Sequence, residues 1–209
     1  TDVSITAGQT IEAGNTTAAV ANNITLSSVS SLTIDKTSSL TVSGDFTNNG
    51  SVTLNSTADD FSSLIVEGTA SGDILYNRFV NVYDDLDGGG WDFVGAPTGG
   101  MTIEDFITAN GANIQVLGDD YAFSQYNNAT GLWERYATAS QAGSFTSGQG
   151  YSMATAVNDN LPPPPAGGNV GYTVAFTGAM QTTSQSINVL NNNNLNGEGR
   201  RWNLVSNPF

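Results

Sequence analysis

The acidic, glycine-rich stretch DDLDGGG at residues 84–90 is the first place where residue types and spacing suggest chemistry. Its carboxylates, Asp84, Asp85 and Asp87, lie on a segment that glycine makes flexible, and Ca²⁺ prefers several such oxygen ligands. The spacing differs from that of an EF-hand loop, which has a glutamate at its twelfth position. Two interpretations follow, a Ca²⁺ site and an ordinary solvated acidic turn, of which the turn is the more common. Calcium is the one cofactor that the sequence suggests.

Residues 126–136 bring aromatic rings and amides together in one short stretch. Flat exposed rings stack on sugar rings, and nearby polar groups bind sugar hydroxyls, so this combination is typical of a carbohydrate-binding surface. The candidate residues for such a surface are Trp133, Tyr126, Tyr136, Asn127 and Asn128. Aromatic residues at alternate strand positions also build hydrophobic cores, and this structural interpretation is the more common one. Trp91 and Trp202 each begin an apolar strand, so we assign both to packing.

Paired carboxylates also suggest glycan cleavage, and some β-helical enzymes combine aspartates with a basic residue for this purpose. The corresponding residues here are Asp35, Asp45, Asp73, Lys36 and Arg78. They are scattered over different predicted turns, where corner positions explain them equally well. We therefore predict no catalytic residue, and a polysaccharide-degrading enzyme ranks third among the functions considered.

Charge and missing residue types exclude several classes of function. The formal net charge is −14, from 19 acidic and 5 basic residues, so nucleic acids and anionic membranes would be repelled. The absence of cysteine and histidine removes disulfides, cysteine nucleophiles, histidine-based triads and ordinary zinc or haem sites. No run approaches the roughly 20 apolar residues of a membrane-spanning helix, so we predict no membrane insertion. Abundant Ser, Thr, Asn and Gly, and a start at Thr1 without an apolar leader, suggest a trimmed, exported protein.

The elements that position these residues begin with residues 31–80, where apolar pairs alternate with Ser and Thr. Two-residue alternation points one set of side chains inward and the other to water, and β-branched residues fit that pleated geometry. Turn-forming residues such as Ser-Gly-Asp and Asn-Asn-Gly separate the short runs. The pattern predicts a ladder of stacked turns with these pairs inside: Leu32/Ile34, Leu40/Val42, Val52/Leu54, Leu64/Val66 and Ile74/Tyr76.

The spacing between successive pairs changes from eight residues to twelve, which favours an irregular parallel β-helix over a strict repeat protein. We predict this solenoid at residues 1–83, with residues 1–21 as its first coil or cap. The alternative is an antiparallel meander with hairpins at Asp35-Lys36 and Asn49-Gly50, because Asn-Gly is the strongest short hairpin signal.

The composition changes across residues 84–90, which we interpret as a linker. Aromatic residues gather in residues 91–209, and we predict a β-sandwich-like module there. Thr102 is placed to cap one short helix at residues 102–109. Strands are predicted at residues 114–117, 121–126, 132–136, 150–154, 172–177 and 186–190, with Trp133 opposite an aromatic partner. The phrase WNLVSNP near the end echoes WDFVGAP at the start of this module, which suggests a closing strand or a further module of a longer parent protein.

Several phrases carry a resemblance to a known family: SLTVSGDFTNNGSVTL, SSLIVEG, YNRFV, WDFVGAP, LWERY, SGQGYSM, YTVAFTGAM and WNLVSNPF. In this order they resemble the repetitive extracellular regions of large Bacteroidota surface proteins exported by the type IX secretion system. The resemblance spans residues 32–209. It implies a β-helical or similar stalk and a β-sandwich-like module opened by a Trp strand. The family includes adhesins, gliding-motility proteins and enzymes, so it implies no catalytic residues.

Together these observations predict an all-β chain, with an irregular parallel β-helix at residues 1–83, a linker at 84–90 and a β-sandwich-like module at 91–209. We expect a non-catalytic structural or adhesive segment of a secreted bacterial cell-surface protein, located outside the cell. Its expected partners are an extracellular or cell-surface glycan or protein and the secretion machinery of the parent protein. The alternative is a carbohydrate-binding module, with or without Ca²⁺.

Overall fold

The computed structural model describes residues 1–12, 18–84, 89–157, 171–190 and 203–206. Within these residues the chain is almost entirely β-structure, with one short α-helix. The all-β prediction is therefore confirmed. Residues 85–88 of the predicted linker and Trp202 lie outside the described residues.

The first part of the chain is a β-solenoid of about three coils. The first coil contains β1 (Val3–Ile5), β2 (Gly8–Ile11) and β3 (Ala19–Ala21). The second contains β4 (Ile24–Leu26), β5 (Ser31–Ile34) and β6 (Ser39–Val42). The third contains β7 (Phe46–Asn48), β8 (Ser51–Leu54) and β9 (Ser63–Val66), and β10 (Ala70–Ser71) and β11 (Asp73–Val80) begin a fourth.

Strands of successive coils pair in parallel, which confirms the β-helix. One sheet has the order β1-β4-β7-β10, a second contains β2-β5-β8-β11, and the third is β3-β6-β9. The alternative meander, with hairpins at Asp35-Lys36 and Asn49-Gly50, is wrong because the strands flanking each turn belong to different sheets.

One coil takes 20 to 24 residues. Leu32 lies beside Val52 in the next coil, and Leu40 lies beside Leu64. The spacings of eight and twelve read from the sequence therefore join different faces of the solenoid and do not measure one coil. The interpretation of each alternating pair as a separate stacked turn was wrong in this respect, although the inward direction of the pairs was right.

The apolar members of these pairs form a continuous core inside the coils. Leu40, Val52 and Leu64 are only 3%, 2% and 8% exposed. Burial of each such side chain contributes about 1.5–3 kcal/mol, which explains why short strands suffice. Outward positions carry Ser and Thr, and these also align between coils, as Thr33 does with Thr53.

A ladder of side-chain hydrogen bonds follows one corner of the solenoid. The Asp2 carboxylate accepts from the amides of Asn22 and Asn23, and the Asn23 side-chain oxygen accepts from the Asp45 N–H. Asp45 in turn accepts from the N–H and the hydroxyl of Thr69. The bonds from Asn22 and Asn23 lower the pKa of Asp2, and those from Thr69 lower the pKa of Asp45. These acidic residues therefore tie one coil to the next.

The second part of the chain contains seven strands and the helix among the described residues. These elements are β12 (Asp92–Gly95), β13 (Thr98–Gly99), α1 (Ile103–Asn110), β14 (Val116–Leu117), β15 (Asp120–Asn127), β16 (Leu132–Ala137), β17 (Gly150–Met153) and β18 (Tyr172–Met180). The helix prediction is confirmed, because the Thr102 hydroxyl accepts from the Asp105 N–H as an N-cap. The predicted strand at residues 186–190 is wrong. The Leu190 backbone instead bonds to the side chain of Asn203 on both its N–H and its C=O.

One six-stranded sheet, with the order β13-β18-β11-β8-β5-β2, runs through both parts of the chain. In it, β11 pairs with β8 in parallel and with β18 in antiparallel register from Asp73–Ala179 to Val80–Tyr172. The other sheet of the second part has the order β12-β17-β15-β14, and β16 pairs with β15. Inward side chains from both sheets and from α1 meet in one aromatic-rich cluster, as in a β-sandwich. Phe106 lies near its centre, with Phe176 at 4.9 Å and Phe145 at 5.2 Å between ring centroids.

Candidate functional site

A row of four side chains crosses the outer face of the second sheet. Phe93 of β12 lies opposite Ser152 of β17, which lies opposite Ser124 of β15, which lies opposite Arg135 of β16. Directly paired residues point to the same face of a sheet. The four strands therefore bring these side chains to one surface, which faces away from the aromatic-rich core.

This surface forms a groove of about 340 Å³, lined by Trp91, Phe93, Ser124, Trp133, Arg135 and Ser152. Its floor consists of the two serines, which are 2% and 5% exposed. Its walls are larger and reach solvent, with Phe93 61% and Trp133 38% exposed. A small polar floor between aromatic walls is the composition expected of a small-ligand site.

The two exposed rings define how a ligand can be held. Phe93 and Trp133 lie nearly parallel, with planes inclined by 9° and ring centroids 6.0 Å apart. A third ring between them would need about 7–8 Å, twice the usual contact distance between carbon atoms. A flat ligand must therefore lie across the outward surfaces of the two rings. Tyr126 supports the arrangement, because its ring contacts Trp133 edge-on at 5.3 Å between centroids.

Arg135 lies at one side of the groove and is held by an aromatic ring. Its Cζ lies 5.8 Å from the ring centroid of Trp91, within cation–π distance. Trp91 is itself fixed by an edge-on contact with Tyr83 at 5.8 Å. Among the described residues, the guanidinium makes no ion pair with an acidic side chain. The groove thus combines one cation with three aromatic rings and two hydroxyls.

Residues 203–206 lie on the same sheet face, beside Gly95 and Gly150. Gly95 and Gly150 lie opposite each other in register, two positions along from Phe93 and Ser152. A Cβ at Gly95 would overlap Ser206, and one at Gly150 would overlap Leu204. Glycine at both positions therefore lets the segment lie directly on the sheet, where the Gly150 N–H donates to the Leu204 C=O at 3.0 Å.

The structure brings together only some of the predicted carbohydrate-binding residues. Trp133 and Tyr126 lie opposite each other on the groove face, which confirms the aromatic partner expected for Trp133. Tyr136 lies on the core side, where its ring stacks on Phe123 at 4.6 Å between centroids. Burial there raises the pKa of Tyr136 above its ordinary value. The residue thus contributes to the core and not to the groove.

The two predicted amides hold the turn between β15 and β16. The side-chain NH₂ of Asn127 donates to Glu134 at 2.5 Å, and its oxygen accepts from the Ala129 N–H at 2.9 Å. Asn128 is buried. Both amides, with Tyr126 and Glu134, border a separate cavity of about 240 Å³ beside the groove. They are adjacent to the aromatic walls but do not line the groove.

The predicted calcium loop is described only in part. Asp85 and Asp87 lie outside the described residues, and the Asp84 N–H donates to the Gly89 C=O at 3.1 Å. In the part of the chain that the structure describes, no three His, Cys, Asp or Glu side chains form a group that could hold a metal ion. The Ca²⁺ site therefore stays a prediction.

The carboxylates considered for glycan cleavage lie at separate places on the solenoid. The Asp35 carboxylate accepts from the Lys36 N–H beside β5, whereas Asp45 belongs to the corner ladder that reaches Thr69. Asp73 begins β11, and its C=O accepts from the side chain of Asn48 at 2.6 Å. Each position has a local structural role.

Sequence reasoning missed Phe93, Arg135 and the two serines as site residues. The usable signal was the alternation in WDF at residues 91–93 and in WER at residues 133–135, which places two large side chains on one strand face. That signal does not show that β12 and β16 border the same groove, since two other strands lie between them.

No protein-family model matches this chain, and no curated protein or solved structure shows significant similarity to it. None of the helices in the described residues has the length and apolar character needed to cross a membrane.

Proposed function

We propose that this chain is a non-catalytic adhesive segment of a secreted bacterial cell-surface protein and that it binds an extracellular glycan in the groove between Phe93 and Trp133. The observation that carries the proposal is the exposure of these two parallel rings on a sheet whose other face is packed in a hydrophobic core. Aromatic rings that are partly exposed on a rigid support are typical of binding sites.

The architecture supports a spacer that presents this groove. The six-stranded sheet connects the coils to the second part of the chain, and the sheet that carries the groove packs against it through the aromatic-rich core. The chain has only five basic residues, and of these Arg78 packs over the ring of Phe61 at 4.3 Å. Few accessible basic residues favour resistance to proteases that cleave after Lys or Arg. Location outside the cell and type IX export are proposed from composition and from the family resemblance.

The chemistry of the groove favours a glycan over an extended peptide. A sugar ring offers one apolar face for Trp133 and Phe93 and hydroxyls that match Ser124 and Ser152. A peptide that binds by strand addition needs a free sheet edge, whereas the groove lies on a sheet face with strands on both sides of β15 and β17.

The test is binding of the purified chain to a panel of immobilised and short soluble glycans, with the variants Trp133→Ala and Leu132→Ala. Leu132 neighbours Trp133 on β16 and is 63% exposed, but it points to the opposite face. We expect at least tenfold weaker binding for Trp133→Ala, about 1.4 kcal/mol, and unchanged binding for Leu132→Ala.

Equal binding by wild type and Trp133→Ala, or no binding to any glycan at millimolar concentration, would contradict the proposed site. Release of new reducing ends from a bound polysaccharide would contradict the non-catalytic assignment. Thermal unfolding of each variant provides the folding control.

A further inference from the structure

We propose that the groove selects sugars that carry a carboxylate and that Arg135 is the residue that binds this group. This inference rests on the proposed glycan-binding function and specifies the class of ligand. It depends on three features of the groove: the contact between Arg135 and Trp91, the position of Arg135 beside Trp133, and the scarcity of basic residues in the chain.

The placement of Arg135 is unusual for this sequence. The chain has 19 acidic residues and only five basic ones: Lys36, Arg78, Arg135, Arg200 and Arg201. In such a chain a surface arginine would be expected to pair with one of the many carboxylates. Arg135 instead lies over the ring of Trp91, and within the described residues it pairs with no carboxylate. Its guanidinium is therefore positioned without being neutralised.

The geometry of this guanidinium fits a carboxylate. Arginine presents a planar fork of N–H donors that binds a carboxylate through two parallel hydrogen bonds. Contact with an aromatic face leaves the edge of the guanidinium, which carries these donors, free to point elsewhere. The indole of Trp91 thus orients Arg135 in the way that an acidic side chain would, but without occupying its donors.

Arg135 also lies at the right distance from the stacking surface. It is two residues from Trp133 on β16, on the same face, so their Cα atoms are separated by about 6.6–6.8 Å. A pyranose ring that stacks on Trp133 places an exocyclic carboxylate at its rim, within reach of a long arginine side chain. Ser124, directly opposite Arg135, adds a hydroxyl at the floor for a neighbouring sugar oxygen.

The net charge of the chain limits how acidic the ligand can be. At −14 the protein repels a densely charged polyanion over long range, while one local cation attracts a single carboxylate at contact distance. The expected ligand is therefore a glycan in which uronic acids alternate with neutral sugars, or a short acidic oligosaccharide.

The experiment compares acidic trisaccharides with their methyl esters, which keep the ring and linkage but lose the charge. Titration calorimetry at pH 7 would use trisaccharides of galacturonic, glucuronic and mannuronic acid, each paired with its ester, and a neutral glucose trisaccharide. We expect wild type to bind at least one acid tenfold or more tightly than its ester. Arg135→Gln should weaken binding of the acid tenfold or more and binding of the ester much less, so that the preference is lost. Arg135→Lys should keep part of the preference because the charge is retained.

The possible results separate the two proposals. If wild type binds esters or neutral sugars as tightly as the acids, or if Arg135→Gln weakens both equally, the carboxylate selectivity is overturned and glycan binding stands. If no probe, acidic or neutral, binds wild type, and the glycan panel is also negative, the proposed function itself fails. Arg135 is exposed, so unfolding temperatures within a few degrees of wild type will verify that the variants are folded.

Discussion

The ring of Phe93 lies parallel to the ring of Trp133, although two strands, β17 and β15, separate the strands that carry them. The two side chains therefore lean toward each other above Ser124 and Ser152. This contact joins the two borders of the sheet face and accounts for the low exposure of the serines at its floor.

The contact should be measurable as an energetic coupling between Phe93 and Trp133. A double-mutant cycle with Phe93→Ala, Trp133→Ala and the double variant is expected to show about 0.5–1.5 kcal/mol of coupling, the range for aromatic pairs. Urea unfolding at pH 7 provides the free energies. The matched control is a second cycle with Phe93→Ala and Leu132→Ala. Because Leu132 points away from Phe93, that cycle should show no coupling energy. A coupling near zero for the first pair would mean that the rings do not interact in solution.

Tyr136 should make the protein less stable at alkaline pH. Burial raises the pKa of Tyr136 above 10.0, so above this pH the unfolded chain loses a proton that the folded chain keeps. The folded state then binds more protons than the unfolded state, and the free energy of unfolding falls as pH rises. Urea midpoints between pH 8 and 11 should fall less steeply for Tyr136→Phe than for wild type. If the urea midpoints of both proteins fall equally steeply with pH, the Tyr136 hydroxyl is exposed to water in the folded protein.

Asp45 should have the opposite pH dependence. Hydrogen bonds from Thr69 lower the pKa of Asp45 below 3.8, so the folded chain releases a proton that the unfolded chain still binds in acid. The stabilisation is present above about pH 4 and is lost as pH falls further. Asp45→Asn keeps an oxygen acceptor for Thr69 but removes the charge, so its stability should vary less between pH 5 and 2. If the stability of both proteins depends equally on pH, the side-chain hydrogen bonds from Thr69 to Asp45 do not form in solution.

Gly50 should not tolerate a side chain. A Cβ at this position would overlap the carbonyl oxygens of Ser30 and Ser27, which belong to the backbone of the preceding coil. We expect Gly50→Ala to destabilise the protein by about 1–3 kcal/mol, as other overpacked positions do. Gly8→Ala is the control, because its Cβ would meet only the Ser31 hydroxyl, at 3.2 Å. Equal unfolding midpoints for both variants would contradict the tight stacking of coils at Gly50.

Local patterns were sufficient to predict the inside of the solenoid and the strands that carry the alternating apolar pairs, but not β7 and β10, which overlap predicted turns. Alternation at Leu32/Ile34 or Leu40/Val42 depends only on the two-residue repeat of a strand, which neighbouring residues determine. The length of one coil depends on which strands become neighbours, and that pairing joins residues 20 to 24 positions apart. Because the corners vary in length, the coil length cannot be read from the sequence, and the number of residues between successive apolar pairs gave the wrong repeat.

The candidate site was predictable only in part for the same reason. Trp133 and Tyr126 were found because both lie in one hairpin, where register follows from the turn. Tyr136 could have been excluded, since residues three apart on a strand point to opposite faces. Phe93 and Arg135 join the groove through β17 and β15, and no local pattern reports that arrangement.

The eight residue pairs between β11 and β18 have a mechanical consequence. Tension along the stack of coils acts across the strands, in the direction of their hydrogen bonds, and it passes from β11 to β18 through this antiparallel ribbon. If the chain is the cell-surface spacer proposed above, drag on the cell would reach the second part of the chain through these paired backbones.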